Sequence, residues 1–175
     1  MDYAVLICRS LLGLVFAVSA LSKLRGRAPF AEFATSIRRL GIVPRGSVTA
    51  AAAGILVAEV AVVVALAVPA TVPAGFVLAA AVLAVFIGTI SAAVRRGTTA
   101  PCLCFGASSR TLGPRHIVRN TILLAVSLAG GAGGVFAGAG PLEPAGLALG
   151  LFVAAVLTVL IIRMDDLVGL FADPP

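Results

Sequence analysis

Five stretches of this chain, residues 3–21, 48–68, 73–94, 116–138 and 145–162, are apolar for about the length that crosses a ~30 Å hydrocarbon core. Inside lipid each backbone N–H and C=O must find its partner within the protein, and a run of this length does so as a helix. The expected fold is therefore all-α, an integral membrane helical bundle. Composition agrees: 61 % of residues are hydrophobic and 11 % charged, with a mean hydropathy of +1.16. Soluble proteins sit near about 45–50 % and about 25 %. With 175 residues the chain has room for one membrane domain over 1–175 and no separate soluble one.

Ala17-Val18-Ser19-Ala20 has the look of a cleavage site. Yet Asp2 leads, no basic residue precedes the apolar run, Arg9 interrupts it, and Lys23, Arg25 and Arg27 follow it. The first span is expected to be retained. Between the first and second spans, Phe30, Phe33, Ile37 and Leu40 recur at helical spacing among charges, and Gly41 and Pro44 close the pattern. That predicts a short amphipathic helix over residues 29–40 lying at the membrane surface. The uncharged link Pro69-Ala70-Thr71-Val72 is short enough to force the second and third spans into an antiparallel pair. In the fourth span Gly130, Gly134 and Gly138 step by four, a small-residue ladder expected to let a neighbouring backbone approach.

The net charge of +6 does not require nucleic acid, because the basic residues cluster in two loops. Six lie between Lys23 and Arg45, and Arg95, Arg96, Arg110 and Arg115 flank the third connection. The second and fourth connections have none. Read by the bias of lysine and arginine toward the cytoplasm, the N-terminus is expected outside and the C-terminus inside.

Glu59 falls midway along the second span, where a charged side chain costs about 2.5–3.5 kcal/mol and calls for a partner. Measured from Val48, Glu59 is about 16 Å deep, and Arg9 is about 22 Å above Leu24, so an Arg9–Glu59 pair is expected to tie the first two spans. Two readings of Glu59 stand: a buried ion pair without chemistry, or a proton-transfer group serving a quinone or a thiol.

The chemistry concentrates in the connection 97–115, in Pro101-Cys102-Leu103-Cys104-Phe105-Gly106. Proline before the first thiol and glycine after the second favour a shaped loop. Three cysteines are too few for a disulfide framework. A disulfide between Cys102 and Cys104 closes a small, strained ring, which suits exchange better than stapling. Arg115 and His116, at the start of the fourth span, are candidates for stabilising a thiolate, although a histidine at an interface is ordinarily just solvated. A metal site on Cys102, Cys104 and His116 lacks an evident fourth ligand, which disfavours a closed zinc site and leaves a three-coordinate soft metal as an open reading; no metal ligands are assigned. An inert pair remains a further reading. Cys8 lies in the first span, out of reach of the pair, and is expected to serve as packing.

The segment from Pro101 to Gly106, followed by Pro114-Arg115-His116-Ile117-Val118-Arg119-Asn120 and an apolar run, resembles the Cys-x-Cys-Phe-Gly … Arg-Asn signature of the methylamine utilisation protein MauE family. The first half, with Gly13, Ser22-Lys23-Leu24, the Phe-rich amphipathic piece, and Gly41 with Pro44, resembles the related DoxX-like proteins. The resemblance implies a four-helix DoxX-like core plus a fifth span. It implies a membrane protein that supports disulfide formation or isomerisation in a client, as in processing of the methylamine dehydrogenase small subunit, together with a thioredoxin-like partner. It makes Cys102 and Cys104 the redox pair. The reading from a different class is a non-catalytic membrane anchor that recruits a soluble redox enzyme.

Overall fold

The computed structural model describes residues 2–97, 114–136 and 143–164. Helix α1 runs Asp2–Leu24, α2 Arg27–Leu40, α3 Val48–Ala67, α4 Val72–Arg95, α5 Pro114–Phe136 and α6 Pro144–Ile162. All but α2 are long and apolar enough to cross a membrane. The expected all-α bundle of five spans and one amphipathic helix is what the described residues form.

Each break between helices has a local cause. Gly41 takes a left-handed φ of 64° and returns its N–H to the Arg38 carbonyl, closing α2. At the other end of α3, Val68 turns extended, Pro69–Thr71 forms a single tight turn, and Thr71 Oγ1 donates to the carbonyls of Ala65 and Val68. Carbonyls that the helix end would leave bare are thereby satisfied without water. Pro73 in the first turn of α4 sets the next helix off at once. A Cβ at Gly75 would come within 3.0 Å of the Leu66 backbone nitrogen, so α3 and α4 meet at backbone distance beside this turn.

Helix α1 packs on α3 and α5, α3 on α4, and α4 on α5, which closes a ring of four helices. Leu12, Val15, Val62, Leu66, Leu83 and Leu123 fill its centre, each no more than 2 % exposed. Helix α2 lies on the start of α3, with Phe33 and Ile37 buried against Val48 and Ala52. Helix α6 stands outside the ring against α1. Its seam is Gly146, Gly150, Ala154 and Thr158: a Cβ at Gly146 would meet the Tyr3 ring at 2.4 Å, and one at Gly150 would meet Leu6 at 3.2 Å. Because Tyr3 pairs with Gly146 and Leu6 with Gly150, α6 runs parallel to α1.

The glycine ladder expected on α5 needs correcting. Gly130 does pack, since a Cβ there would lie 2.5 Å from the Phe76 ring and 2.9 Å from Cys8 Cβ. Gly134 is exposed with open space around it, and Gly138 lies outside the described residues. The reason is the seam: besides Arg119, the buried positions on α5 are His116, Asn120, Leu123, Ser127 and Gly130, alternating steps of four and three. That is the period of helices crossing at a shallow angle, and a strict four-residue step drifts off it. A four-step small-residue ladder does exist, on α6.

Candidate functional site

The charged groups inside the bundle gather toward one end, the end where α1 finishes and α3 begins. Lys23 continues the buried stripe Leu12, Phe16, Ser19 on α1. Helical side chains lean back toward the N-terminus, so the ammonium is carried inward along the bundle rather than out to water. Lys23 Nζ lies 2.9 Å from each oxygen of Glu59, donates to Ser19 Oγ at 2.8 Å, and sits 4.7 Å from the centre of the Phe33 ring on α2. Ser19 Oγ in turn donates to Glu59 Oε1 at 2.9 Å. Lys23 is 2 % exposed, Glu59 0 %. A pair so far out of water holds only when both charges and their remaining hydrogen-bonding positions are satisfied, which the serine and the aromatic ring help to do.

Glu59 therefore pairs with Lys23, and Arg9 is not its partner. Arg9 donates through Nε to the Leu66 carbonyl and through Nη2 to the Ala67 carbonyl at 2.6 Å, capping the last turn of α3. A cation at the negative end of a helix is a favourable placement in its own right. The expected depths failed because Leu24 and Val48 do not start level. With Ser19 opposite Glu59, Leu24 faces Gly54, so Val48 begins about 9 Å further out. Those extra turns of α3 are the platform on which α2 packs.

A second set of polar side chains comes from α5. His116, Arg119 and Asn120 are 4 %, 3 % and 3 % exposed, so the histidine is inside the bundle and not solvated. Arg115 beside them is half-buried. Cys8 lies against Gly130 and Val5 against Gly133, which makes α1 and α5 antiparallel. Counting eleven residues from Cys8 and eleven from Gly130 brings Ser19 level with Arg119. The triad Ser19–Lys23–Glu59 and the group His116, Arg119 and Asn120 thus occupy one transverse layer of the bundle. Asn120 Nδ2 has no hydrogen-bond partner among the described residues. Further along α5, Ser127 Oγ donates to the Phe76 carbonyl at 2.8 Å and fastens α5 to α4.

Cys102, Cys104 and Arg110 lie outside the described residues. The flanking chain is described: α4 ends at Arg95, Gly97 turns with φ 66°, and α5 begins at Pro114. The end of α4 and the start of α5 thus both lie at the end of the bundle that carries the polar layer. Five residues separate Gly97 from Cys102, a reach of at most about 18 Å. Cys8 sits beside Gly130 and Phe76, and Phe76 is about 32 Å along α4 from Gly97. Cys8 is therefore beyond bonding distance of Cys102, and it packs against Gly130 as an ordinary small side chain. Among the described residues no three His, Cys, Asp or Glu converge to hold a metal.

Reading the sequence missed Lys23, Ser19 and Asn120 as members of one site. The signal was present in α1, where Lys23 holds the stripe of steps four and three that Arg25 and Arg27 do not share.

Residues 1–133 match the family described as methylamine utilisation protein MauE. That stretch takes in α1 to α4 and most of α5, and so nearly the whole four-helix ring. A methylamine utilization protein MauE from Paracoccus versutus is 36 % identical over 169 residues, covering 95 % of this chain and 88 % of the relative. No solved structure matches the chain. With a ring of four spans, a fifth span on its flank and the family match over most of its length, this multi-pass membrane protein belongs to the MauE family.

Proposed function

We propose that the protein is a membrane thiol–disulfide redox protein that supports maturation of a client in methylamine utilisation, with Cys102 and Cys104 cycling between disulfide and dithiol. The observation that carries the reading is the burial of His116 and Arg119 in the first turns of α5, the helix that follows the Cys-x-Cys segment in the sequence. A thiolate is favoured beside cationic groups and at a helix N-terminus, and the sequence places both next to the only paired thiols in the chain.

The exchange balances without another reagent. A client thiolate attacks one sulfur of the Cys102–Cys104 disulfide, forming a mixed disulfide and releasing the other sulfur as thiolate. The client's second thiolate then attacks the client sulfur of the mixed disulfide and displaces the protein's cysteine as thiolate, so that both sulfurs of the pair end reduced. The client gains a disulfide, and the pair gains two electrons and two protons. A thioredoxin-like partner that arrives as a disulfide restores the pair by the same exchange and leaves as a dithiol, carrying off the two electrons and two protons. Arg115 and His116 stabilise the released thiolate in this scheme. The Lys23–Glu59 pair holds α1, α2 and α3 as the frame below it. The end that carries the layer also carries Arg25, Arg38, Arg39, Arg45, Arg95 and Arg96. By the positive-inside bias that end faces the cytoplasm.

The test is to replace Cys102 and Cys104 by serine one at a time and quench membranes with acid. One of the two variants should accumulate a mixed disulfide, seen as a larger band that reductant collapses, and the Cys102→Ser/Cys104→Ser double variant should not. If both single variants run as free protein under oxidising conditions, the exchange reading fails and a membrane anchor that recruits a soluble enzyme replaces it.

A further inference from the structure

We infer that the edge where α3 begins and α4 ends is a binding site for the headgroup of an anionic glycerophospholipid. Leu66 on α3 touches Gly75 on α4, and Arg45 lies twenty-one residues before the one as Arg96 lies twenty-one after the other. The two arginines therefore emerge level on adjacent antiparallel helices, with Arg95 beside them. The chain from Arg38 and Arg39 at the end of α2 reaches Arg45 within seven residues. All five guanidiniums are exposed.

No carboxylate answers them from the same elements. Helices α2, α3 and α4 carry only Glu32 and Glu59. Glu59 is buried on Lys23, and Glu32 is about 9 Å along α2 from Arg38. Clustered guanidiniums without a protein counter-ion suit phosphate oxygens, which they take in a bidentate fashion. A lipid phosphate, and not a free one, is the occupant because the arginines alternate with exposed apolar side chains, Ile42 at 39 % and Val94 at 38 %. Guanidinium beside aliphatic surface, at the end of membrane-spanning helices, is the chemistry of a headgroup with its acyl chains attached.

The site differs from general attraction to a charged leaflet, and the test separates them. The full-length protein, purified in a mild detergent, is titrated with phosphatidylglycerol, phosphatidylcholine or glycerol 3-phosphate, and thermal unfolding is followed by circular dichroism. Phosphatidylglycerol should raise Tm by about 5 °C over phosphatidylcholine, as a ligand that binds the folded state at a concentration well above its Kd does. Glycerol 3-phosphate should do nothing. The Arg45→Gln/Arg95→Gln/Arg96→Gln variant should lose most of that increment, with an unchanged Tm in phosphatidylcholine. The Arg25→Gln/Arg27→Gln variant removes charge from the same end at another corner and should keep it. Equal loss in both variants, equal stabilisation by both lipids, or stabilisation by free glycerol 3-phosphate would overturn the assignment.

Discussion

Replacing Lys23 and Glu59 separately and together by methionine tests the layer that holds the site. The structure sets the sizes. Without Lys23, the Glu59 carboxylate keeps the Ser19 hydroxyl as its donor. Without Glu59, the ammonium keeps Ser19 and the Phe33 ring. Breaking a buried pair from one side costs about 3–5 kcal/mol, so Lys23→Met should fall near the upper figure and Glu59→Met near the lower. The double variant should cost less than either single one, because an apolar pair of similar volume leaves no stranded charge. Magnitude also separates an ion pair from a plain hydrogen bond: cycles on hydrogen bonds between membrane helices reach at most about 1.7 kcal/mol, so coupling above about 2 kcal/mol marks the charges. The chain has no tryptophan and one tyrosine, so unfolding is best followed by far-ultraviolet circular dichroism during titration with a denaturing detergent. Arg9→Met supplies the contrast. Arg9 stands ten residues from Ser19, about 15 Å away, and its effect should add to that of Glu59→Met within about 0.5 kcal/mol. Additive losses for Lys23 and Glu59, or coupling between Arg9 and Glu59, would refute the reasoning.

The α6 seam predicts that Gly146→Leu, forced into the Tyr3 ring, lowers stability by about 1–3 kcal/mol in the same titration, whereas Gly134→Ala on the open face of α5 should be neutral or slightly stabilising. Cys8→Ala should leave the number of reducible disulfides in membranes unchanged, as counted by alkylation before and after reductant, because Cys8 packs against Gly130 beyond the reach of Cys102. For orientation, a membrane-impermeant maleimide applied to intact cells should label a cysteine placed at Glu143 and spare one placed at Arg45; the reverse pattern would invert the proposed topology.

The spans were legible because a twenty-residue apolar run has few other fates, and α2 because its period changes to that of a surface helix. The pairing of Glu59 was not. Depth along a span can be counted from a sequence only if the starting level is known, and the turns of α3 beneath α2 shifted that level by about 9 Å. Helical direction was the missing guide for Lys23. Its neighbours Arg25 and Arg27 look equivalent in the sequence, yet only Lys23 falls on the stripe of Leu12, Phe16 and Ser19. The ladder of Gly130, Gly134 and Gly138 misled because spacing by four matches one crossing geometry, which α6 adopts against α1 and α5 does not adopt in the ring.

Counting thiols tests the central proposal most directly. Membranes are quenched in acid and alkylated, with and without prior reduction, and the intact protein is weighed. The proposal predicts one adduct on the oxidised protein, at Cys8, and three after reduction, with the two extra adducts on Cys102 and Cys104. Three adducts under every oxidant would mean that the paired sulfurs never join, and the redox function would have to be abandoned.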